Sequence, residues 1–377
     1  MNNKILLSIA IPTYNRAHFL ENLLNNILPQ ARNSSERIEV CVSNNGSTDN
    51  TREVVIKFKE KYPDLIKYNE NKKNLGIDAN ILKVIEMCEG DFIWTFGDDD
   101  SIVDNGLNVV INFIKNNCKE SIGLVVLRVK SYMFDKQTGG KIIFTDSLDK
   151  NKPEVFKIDR KDIIGLSFPT IAFISVLIFN NKLLKKILME DRNLIERGIG
   201  TSHMHIFLIP LMFLKYPYVD GIVFNKEMVC QEAAQYKFFI EDKFMLHYQM
   251  QKQLNNLLLS NKYMNARCAP LIVRRDKGLR KEFLVDMLAM RAFKDFNYFS
   301  YFYCLKLFFK NSIFIDTLIF SLVFSALFLI PSIVLRVLYK VLLMVRYGKK
   351  WKLKWNFANN LYSTISSGTR RRNEQPE

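Results

Sequence analysis

Short apolar runs alternate with helical patterns over the first hundred residues. Residues 4–12 form an Ile-rich run bounded by Pro and Asn, which is typical of a strand buried on both faces of a parallel sheet. Leucines and isoleucines then recur at spacings of three and four and mark a helix that ends at Pro29. They are Leu20, Leu23, Leu24, Ile27 and Leu28.

The alternation continues with further strands at 37–43, 65–68 and 92–96 and helices at 48–61 and 78–88. This order predicts an α/β fold with a doubly wound sheet and helices on both faces. Apolar stretches at 122–129, 141–144 and 170–179 are candidates for further strands of a mixed sheet. Helical patterns dominate 183–214 and 238–309.

The C-terminal part differs in kind, because residues 317–335 contain no charged side chain and basic residues follow them. These are Arg336, Lys340, Arg346, Lys349, Lys350, Lys352 and Lys354. This combination predicts membrane contact; a single span, a re-entrant or interfacial segment and a buried core helix all stay open.

We divide the chain into an α/β domain at 1–235 and three regions after it. The domain has a first half at 1–115 and a second half at 116–235. A helical region at 236–310, an apolar and basic membrane-associated segment at 311–360 and a polar tail at 361–377 follow.

The formal net charge of +16 and the pI near 9.4 indicate an acidic partner. Nucleic acid is disfavoured because the basic residues concentrate beside the apolar segment and are not interleaved with aromatic residues on a sheet face. An anionic membrane surface fits better. Six cysteines without a CxxC pair and the lack of a secretory signal pattern predict a cytoplasmic location.

Three polar loops follow strands of the predicted sheet, at 12–16, 43–49 and 97–100. Loops at the carboxyl ends of such strands meet in one crevice, where ligands bind. The run Asp98, Asp99 and Asp100 needs a counter-cation, and Mg²⁺ or Mn²⁺ commonly bridges carboxylates to substrate phosphates. The alternative is that the acidic run and the Asn44–Ser47 loop are only solvated turns that cap helices.

These loops also carry a resemblance to family 2 glycosyltransferases, in the order and spacing of four segments over about the first third of the chain. The segments are 8–16 (SIAIPTYNR), 43–49 (SNNGSTD), 74–76 (NLG) and 90–100 (GDFIWTFGDDD). The resemblance implies the GT-A fold, a nucleotide-diphosphate sugar donor and a divalent metal, Mg²⁺ or Mn²⁺. The Gly-Asp-Asp-Asp form further resembles the abequosyltransferase-like branch of bacterial surface polysaccharide synthesis, which includes lipopolysaccharide.

The resemblance implies specific roles for residues of the first half. The nucleotide-sugar pocket would be formed by Pro12, Tyr14, Arg16, Asn44, Asn45, Gly76, Asp98 and Asp99, and the metal ligands would be Asp99 and Asp100. Asn44 stands where the family usually has an aspartate that contacts the base, and its amide suits either uracil or cytosine. Gly97 occupies the usual first acidic position of the metal motif.

An inverting transfer needs a general base for the acceptor hydroxyl. Many family members use an aspartate of a Glu-Asp pair, which this sequence lacks at the expected place. We favour His205 or His203 over Glu196 as the base, because an unperturbed imidazole titrates near neutrality. One histidine could instead cap the following helix while the other packs.

Together, the resemblance and the basic apolar segment imply a non-processive inverting glycosyltransferase at the cytoplasmic face of the bacterial inner membrane, peripheral, re-entrant or single-pass. It would move one sugar, a hexose or deoxyhexose, to a lipid-linked oligosaccharide of O-antigen or capsule. The alternative is a catalytically inactive sugar-nucleotide-binding or membrane-scaffold protein on the same fold.

Overall fold

The computed structural model describes residues 4–134, 141–145, 151–164, 169–196, 199, 204–232 and 332–347. The elements up to Glu232 form one compact unit, and the helix Ser332–Tyr347 belongs to a second. The predicted helices at 238–309 and most of the apolar segment at 317–335 lie outside the described residues.

The first half of the α/β unit alternates strands and helices as the apolar pattern predicts. Its elements are β1 (Leu7–Thr13), α1 (Ala17–Arg32), β2 (Ile38–Asn44), α2 (Thr51–Lys61), β3 (Ile66–Glu70), α3 (Ile77–Met87) and β4 (Phe92–Thr95). β1 and β2 are almost entirely buried, which is why they read as continuous apolar runs.

The second half adds six strands, two of them longer than any strand of the first half, and a second set of helices. Its elements are β5 (Ser101–Ile102), α4 (Gly106–Asn117), β6 (Ile122–Phe134), β7 (Lys141–Thr145), β8 (Val155–Lys157), α5 (Arg160–Ile164), β9 (Leu177–Asn180), α6 (Asn181–Glu190), α7 (Arg192–Glu196), α8 (Met204–Lys215) and β10 (Asp220–Glu232). The helix of the second unit, Ser332–Tyr347, is α9.

The ten strands of the described residues form one mixed sheet in the order β3-β2-β1-β4-β9-β6-β10-β5, with β7 on β6 and β8 on β10. β3, β2, β1 and β4 run parallel, so their carboxyl ends, at Glu70, Asn44, Thr13 and Thr95, lie at the same edge of the sheet. β9 is antiparallel to both neighbours and joins the two halves. The predicted α/β fold with a mixed sheet and flanking helices is confirmed.

Three local predictions differ from the structure. α1 continues through Pro29 to Arg32, because Leu28 and Ala31 keep its apolar face packed on both sides of the proline. Residues 170–179 are mostly two 3₁₀ turns, Pro169–Ala172 and Ile174–Val176, and become a strand only at Leu177. β10 is a long strand that the helical patterns on either side of it concealed.

α8 is the central helix of the second half, and every residue from Met204 to Phe213 is buried. Its apolar residues therefore surround the whole helix and do not form a stripe. Among the described helices, none combines the length and apolar character needed to cross a membrane.

Candidate active site

The loops after β1 and β2 are joined by side-chain and backbone hydrogen bonds. The Asn45 amide N–H donates to the Thr13 carbonyl at 2.9 Å. Asn15, in the left-handed conformation at φ 53°, accepts from the Thr48 amide N–H at 2.7 Å and donates its own to Ser47 Oγ at 2.9 Å. The two loops therefore form one wall of the crevice.

The acidic loop after β4 is tied to the first loop by Thr13 and Arg16. Thr13 Oγ1 donates to Asp98 Oδ2 at 2.7 Å. The Arg16 guanidinium lies 3.3 Å from Asp98 Oδ1 and 2.8 Å from Asp99 Oδ2. Burial raises the pKa of Asp98 to about 7, although the charge of Arg16 opposes that rise. Arg16 is thus a counter-cation for Asp98 and Asp99, two of the three carboxylates.

Asp100 is held from a different part of the chain, the 3₁₀ turn that precedes β9. Ser175 Oγ donates to Asp100 Oδ2 and accepts the Gly97 amide N–H at 2.8 Å. A side chain at Gly97 would place its Cβ 3.0 Å from Asp100 Oδ2 and 3.2 Å from both Asp99 Oδ1 and Ser175 Oγ. Glycine at this position therefore lets the two carboxylates and the hydroxyl converge.

The donor set of this loop fits a hard divalent cation. Asp100 is 5% exposed, and its Oδ1 accepts no hydrogen bond within the described part of the chain. Burial and the neighbouring carboxylates raise the pKa of Asp100 well above its usual value, which an added positive charge would reverse. Within the described residues no group of three or more His, Cys, Asp or Glu side chains could hold a metal. With only Asp99 and Asp100 as protein ligands, a cation here would need further oxygen ligands, which the phosphates of a substrate can supply.

Asn44 is fully buried at the end of β2. Its Oδ1 accepts the Ser47 amide N–H at 3.0 Å, and its Nδ2 donates to Tyr68 Oη at 3.1 Å. The amide therefore fixes the turn of the 43–49 loop and is oriented by Tyr68. Its predicted contact with a nucleotide base stays a prediction.

Asn45 ties the second loop to the segment that precedes α3. Its Nδ2 donates to Asn74 Oδ1 at 2.8 Å and to the Gly76 carbonyl at 3.3 Å, and its Oδ1 accepts the Leu75 amide N–H at 2.9 Å. Gly46, at φ +71°, lets the loop pass against Lys73, since a Cβ there would lie 2.8 Å from the Lys73 carbonyl carbon. The predicted residues Asn44, Asn45 and Gly76 thus belong to one connected structure.

The remaining predicted pocket residues lie at the surface of the same edge. Pro12 is half-buried near the end of β1, and Tyr14 is 39% exposed in the loop after it. Gly76 adopts φ 85° at the start of α3, beside the exposed side chains of Leu75 and Ile77. An exposed apolar surface therefore borders the crevice.

The candidate bases are placed differently from one another. His205 is buried in the first turn of α8. Glu196 is half-exposed at the end of α7, where its carboxylate accepts from Arg192 Nε at 3.0 Å. His203 lies outside the described residues.

Several residues that build the site were not singled out from the sequence. Thr13 lies inside the quoted first segment, and its hydroxyl next to a buried strand was the available signal. Ser175 and Tyr68 gave no signal, because each contacts its partner across a long separation in sequence. Asp78 is 1% exposed and accepts the Met204 amide N–H at 3.0 Å, so it caps α8.

Comparison with known proteins agrees with this geometry. Residues 8–177 match the family model described as glycosyl transferase family 2. Over 217 residues the chain is 31% identical to the abequosyltransferase RfbV of Salmonella typhimurium, which covers 55% of this chain and 61% of that protein. It is 27% identical over 198 residues to a Campylobacter jejuni GalNAc(5)-diNAcBac-PP-undecaprenol beta-1,3-glucosyltransferase, covering 52% and 57% of the two chains.

The chain therefore spans about 60% of the length of these two curated relatives. Among solved structures, residues 1–349 of Staphylococcus aureus TarS in complex with UDP-GlcNAc match with a TM-score of 0.53 at 16% identity. That match covers 98% of this chain and 93% of the other, and it shows a shared fold. Residues 8–177 of this chain therefore resemble family 2 glycosyltransferases, and the chain shares the α/β fold of TarS.

Proposed function

We propose that the protein transfers one sugar from a nucleotide-diphosphate sugar to a lipid-linked oligosaccharide, with inversion at the anomeric carbon, in bacterial surface polysaccharide synthesis. The observation that carries the proposal is the acidic loop, where Arg16, Thr13 and Ser175 hold three buried or nearly buried carboxylates at the carboxyl edge of the sheet. The name of the Campylobacter relative, which contains a PP-undecaprenol-linked saccharide, supports the acceptor class.

The donor diphosphate would bind at the acidic loop with a divalent cation, Mg²⁺ or Mn²⁺, held by Asp99 and Asp100. A cation bound there would neutralise the negative charge that develops on the departing diphosphate. The Arg16 side chain is 33% exposed, so its guanidinium can also reach a bound diphosphate. The base of the nucleotide would pack on the exposed surface beside Tyr14 and Leu75.

The transfer is a single displacement. The acceptor hydroxyl oxygen forms a bond to the anomeric carbon while the bond to the diphosphate oxygen breaks, and the hydroxyl proton passes to a base. We assign this base to His205, since Glu196 is engaged with Arg192 at the surface. The buried position of His205 in the first turn of α8 keeps its orientation fixed.

A donor screen tests the proposal. The full chain is incubated with UDP-, GDP-, CDP- and dTDP-sugars in Mg²⁺ or Mn²⁺, with and without polyprenyl-diphosphate-linked oligosaccharides, and free nucleotide is measured. We expect one donor class to react only when acceptor is present, and NMR of the product to show an inverted anomeric configuration.

Two sets of variants make the test specific. The double variant Asp99→Asn, Asp100→Asn should lose turnover, whereas Asp104→Asn, an exposed carboxylate four residues further on, should retain it. His205→Gln should bind donor but lose turnover by about 10²-fold or more, and the exposed His18→Gln should behave as the parent. Turnover equal to the parent in the Asp99, Asp100 double variant would refute the proposal.

A further inference from the structure

We infer that the exposed face of α9 is a docking surface for an anionic lipid bilayer. This face belongs to the helix Ser332–Tyr347, and its chemistry is independent of the sugar donor that the α/β unit uses.

Six apolar side chains of α9 are exposed, with exposed fractions between 39% and 83%. They are Val334, Val337, Leu338, Val341, Met344 and Val345. Their spacing of three and four residues places them on one face about 120° wide, at 3.6 residues per turn. Leu335 and Tyr339 lie on a different face and are buried. The exposed stripe is therefore separate from the face that packs.

The basic residues of α9 lie beside this stripe. Arg336 and Lys340 are exposed and one turn apart, on a strip that borders the apolar stripe. Long basic side chains in this position reach the headgroups while the apolar side chains enter the acyl boundary. A helix with this arrangement lies in the plane of the interface.

The charge around α9 selects an anionic surface as the occupant. Between Thr317 and Asn373 the sequence has ten Lys and Arg residues and no Asp or Glu, a formal +10 of the net +16 of the whole chain. A second copy of the chain would bring the same positive charge to the interface and would be repelled. Anionic headgroups are attracted by this charge, and the apolar stripe adds hydrophobic burial.

The test uses the full chain and sedimented vesicles, either neutral phosphatidylcholine or phosphatidylcholine with about one third phosphatidylglycerol. We expect binding to the anionic vesicles and weak binding to the neutral ones, with the difference reduced in 0.5 M NaCl, a salt level of the order that screens surface charge. The double variant Val337→Gln, Val341→Gln replaces two valines of the stripe by a polar residue that favours the helix. It should lower the affinity for anionic vesicles about tenfold or more. The matched control is Val155→Gln, an exposed valine of β8, which should bind as the parent.

Equal binding of parent and double variant would overturn the inference, as would a parent that binds both vesicle types equally. Analytical ultracentrifugation without vesicles measures self-association and so tests the alternative that a second copy of the chain binds the stripe. If the double variant abolishes self-association and leaves vesicle binding unchanged, the stripe is a protein interface and the inference is wrong. Donor turnover measured in detergent is a separate readout, so its absence would count against the proposed function and not against vesicle docking.

Discussion

The buried carboxylate of Asp78, in the first half of the α/β unit, contacts a helix of the second half. It lies in the first turn of α3, just after the Asn74 to Gly76 segment that Asn45 holds, and is 1% exposed. Its Oδ1 accepts the amide N–H of Met204, the first residue of α8, from 126 positions away in the sequence. Asp78 is therefore a positioning residue for the helix turn that carries His205.

The cost of replacing Asp78 follows from this capping role. Loss of a capping acceptor costs about 0.5–2 kcal/mol, and loss of a carboxylate at a helix N-terminus costs about 0.3–1 kcal/mol more. We therefore expect Asp78→Ala to lower the free energy of unfolding by about 1–3 kcal/mol. Asp78→Asn keeps an acceptor oxygen without the charge, so its loss should be about 1 kcal/mol or less.

The assay compares stability, donor binding and turnover in the same variants. Urea denaturation at fixed pH gives the free energy of unfolding, and calorimetric titration gives the donor Kd. We expect the donor Kd of Asp78→Ala to stay near the parental value while kcat falls by about tenfold or more, since small displacements of a catalytic group cost orders of magnitude. Asp78→Asn should recover most of that kcat.

The control is Glu53→Ala, which removes an exposed carboxylate from the first turn of α2. It should change the free energy of unfolding by only a few tenths of a kcal/mol, about the value of an exposed helix-dipole interaction. Asp78 does not have this role if Asp78→Ala unfolds at the parental urea concentration, or if donor affinity and kcat fall by the same factor.

Three further predictions concern the crevice. Ser175→Ala should lower stability by about 2–4 kcal/mol in urea denaturation, because the Gly97 N–H and a buried Asp100 oxygen both lose their partner; it should also weaken Mn²⁺ binding measured by calorimetry. Gly46→Ala should cost at least about 1–2 kcal/mol by the same method, since its positive φ is strained for alanine and the Cβ meets Lys73 backbone. Burial raises the pKa of Asp98 to about 7, so the folded protein holds a proton that the unfolded chain has already released above about pH 4. Stability without donor should therefore fall as pH rises from 5 to 8, and Asp98→Asn should flatten this fall in a scan of Tm.

The buried parallel strands could be read from the sequence because their neighbours impose a local constraint on every residue. β1 and β2 are covered on both faces, so they must be apolar throughout, and α1 must present leucines at helical spacing. The 170–179 segment lacks such a local constraint. Its apolar residues serve 3₁₀ turns that are held by bonds from Trp94 and Thr95, which no local pattern records.

For the acidic loop, too, the sequence determines one part of the structure and the tertiary fold determines the rest. The sequence alone determined that Asp98, Asp99 and Asp100 follow a buried strand of a doubly wound sheet, because local periodicity marks where each strand ends, and ligands bind at the carboxyl ends of such strands. Only the tertiary structure decided what holds them. Arg16 and Ser175 come from 82 and 75 residues away in sequence, from Asp98 and Asp100 respectively, and Asp78 reaches α8 across 126. Such bonds depend on how the strands are ordered in space, and a hydroxyl or carboxylate carries no sign in the sequence of the partner that the fold will bring to it.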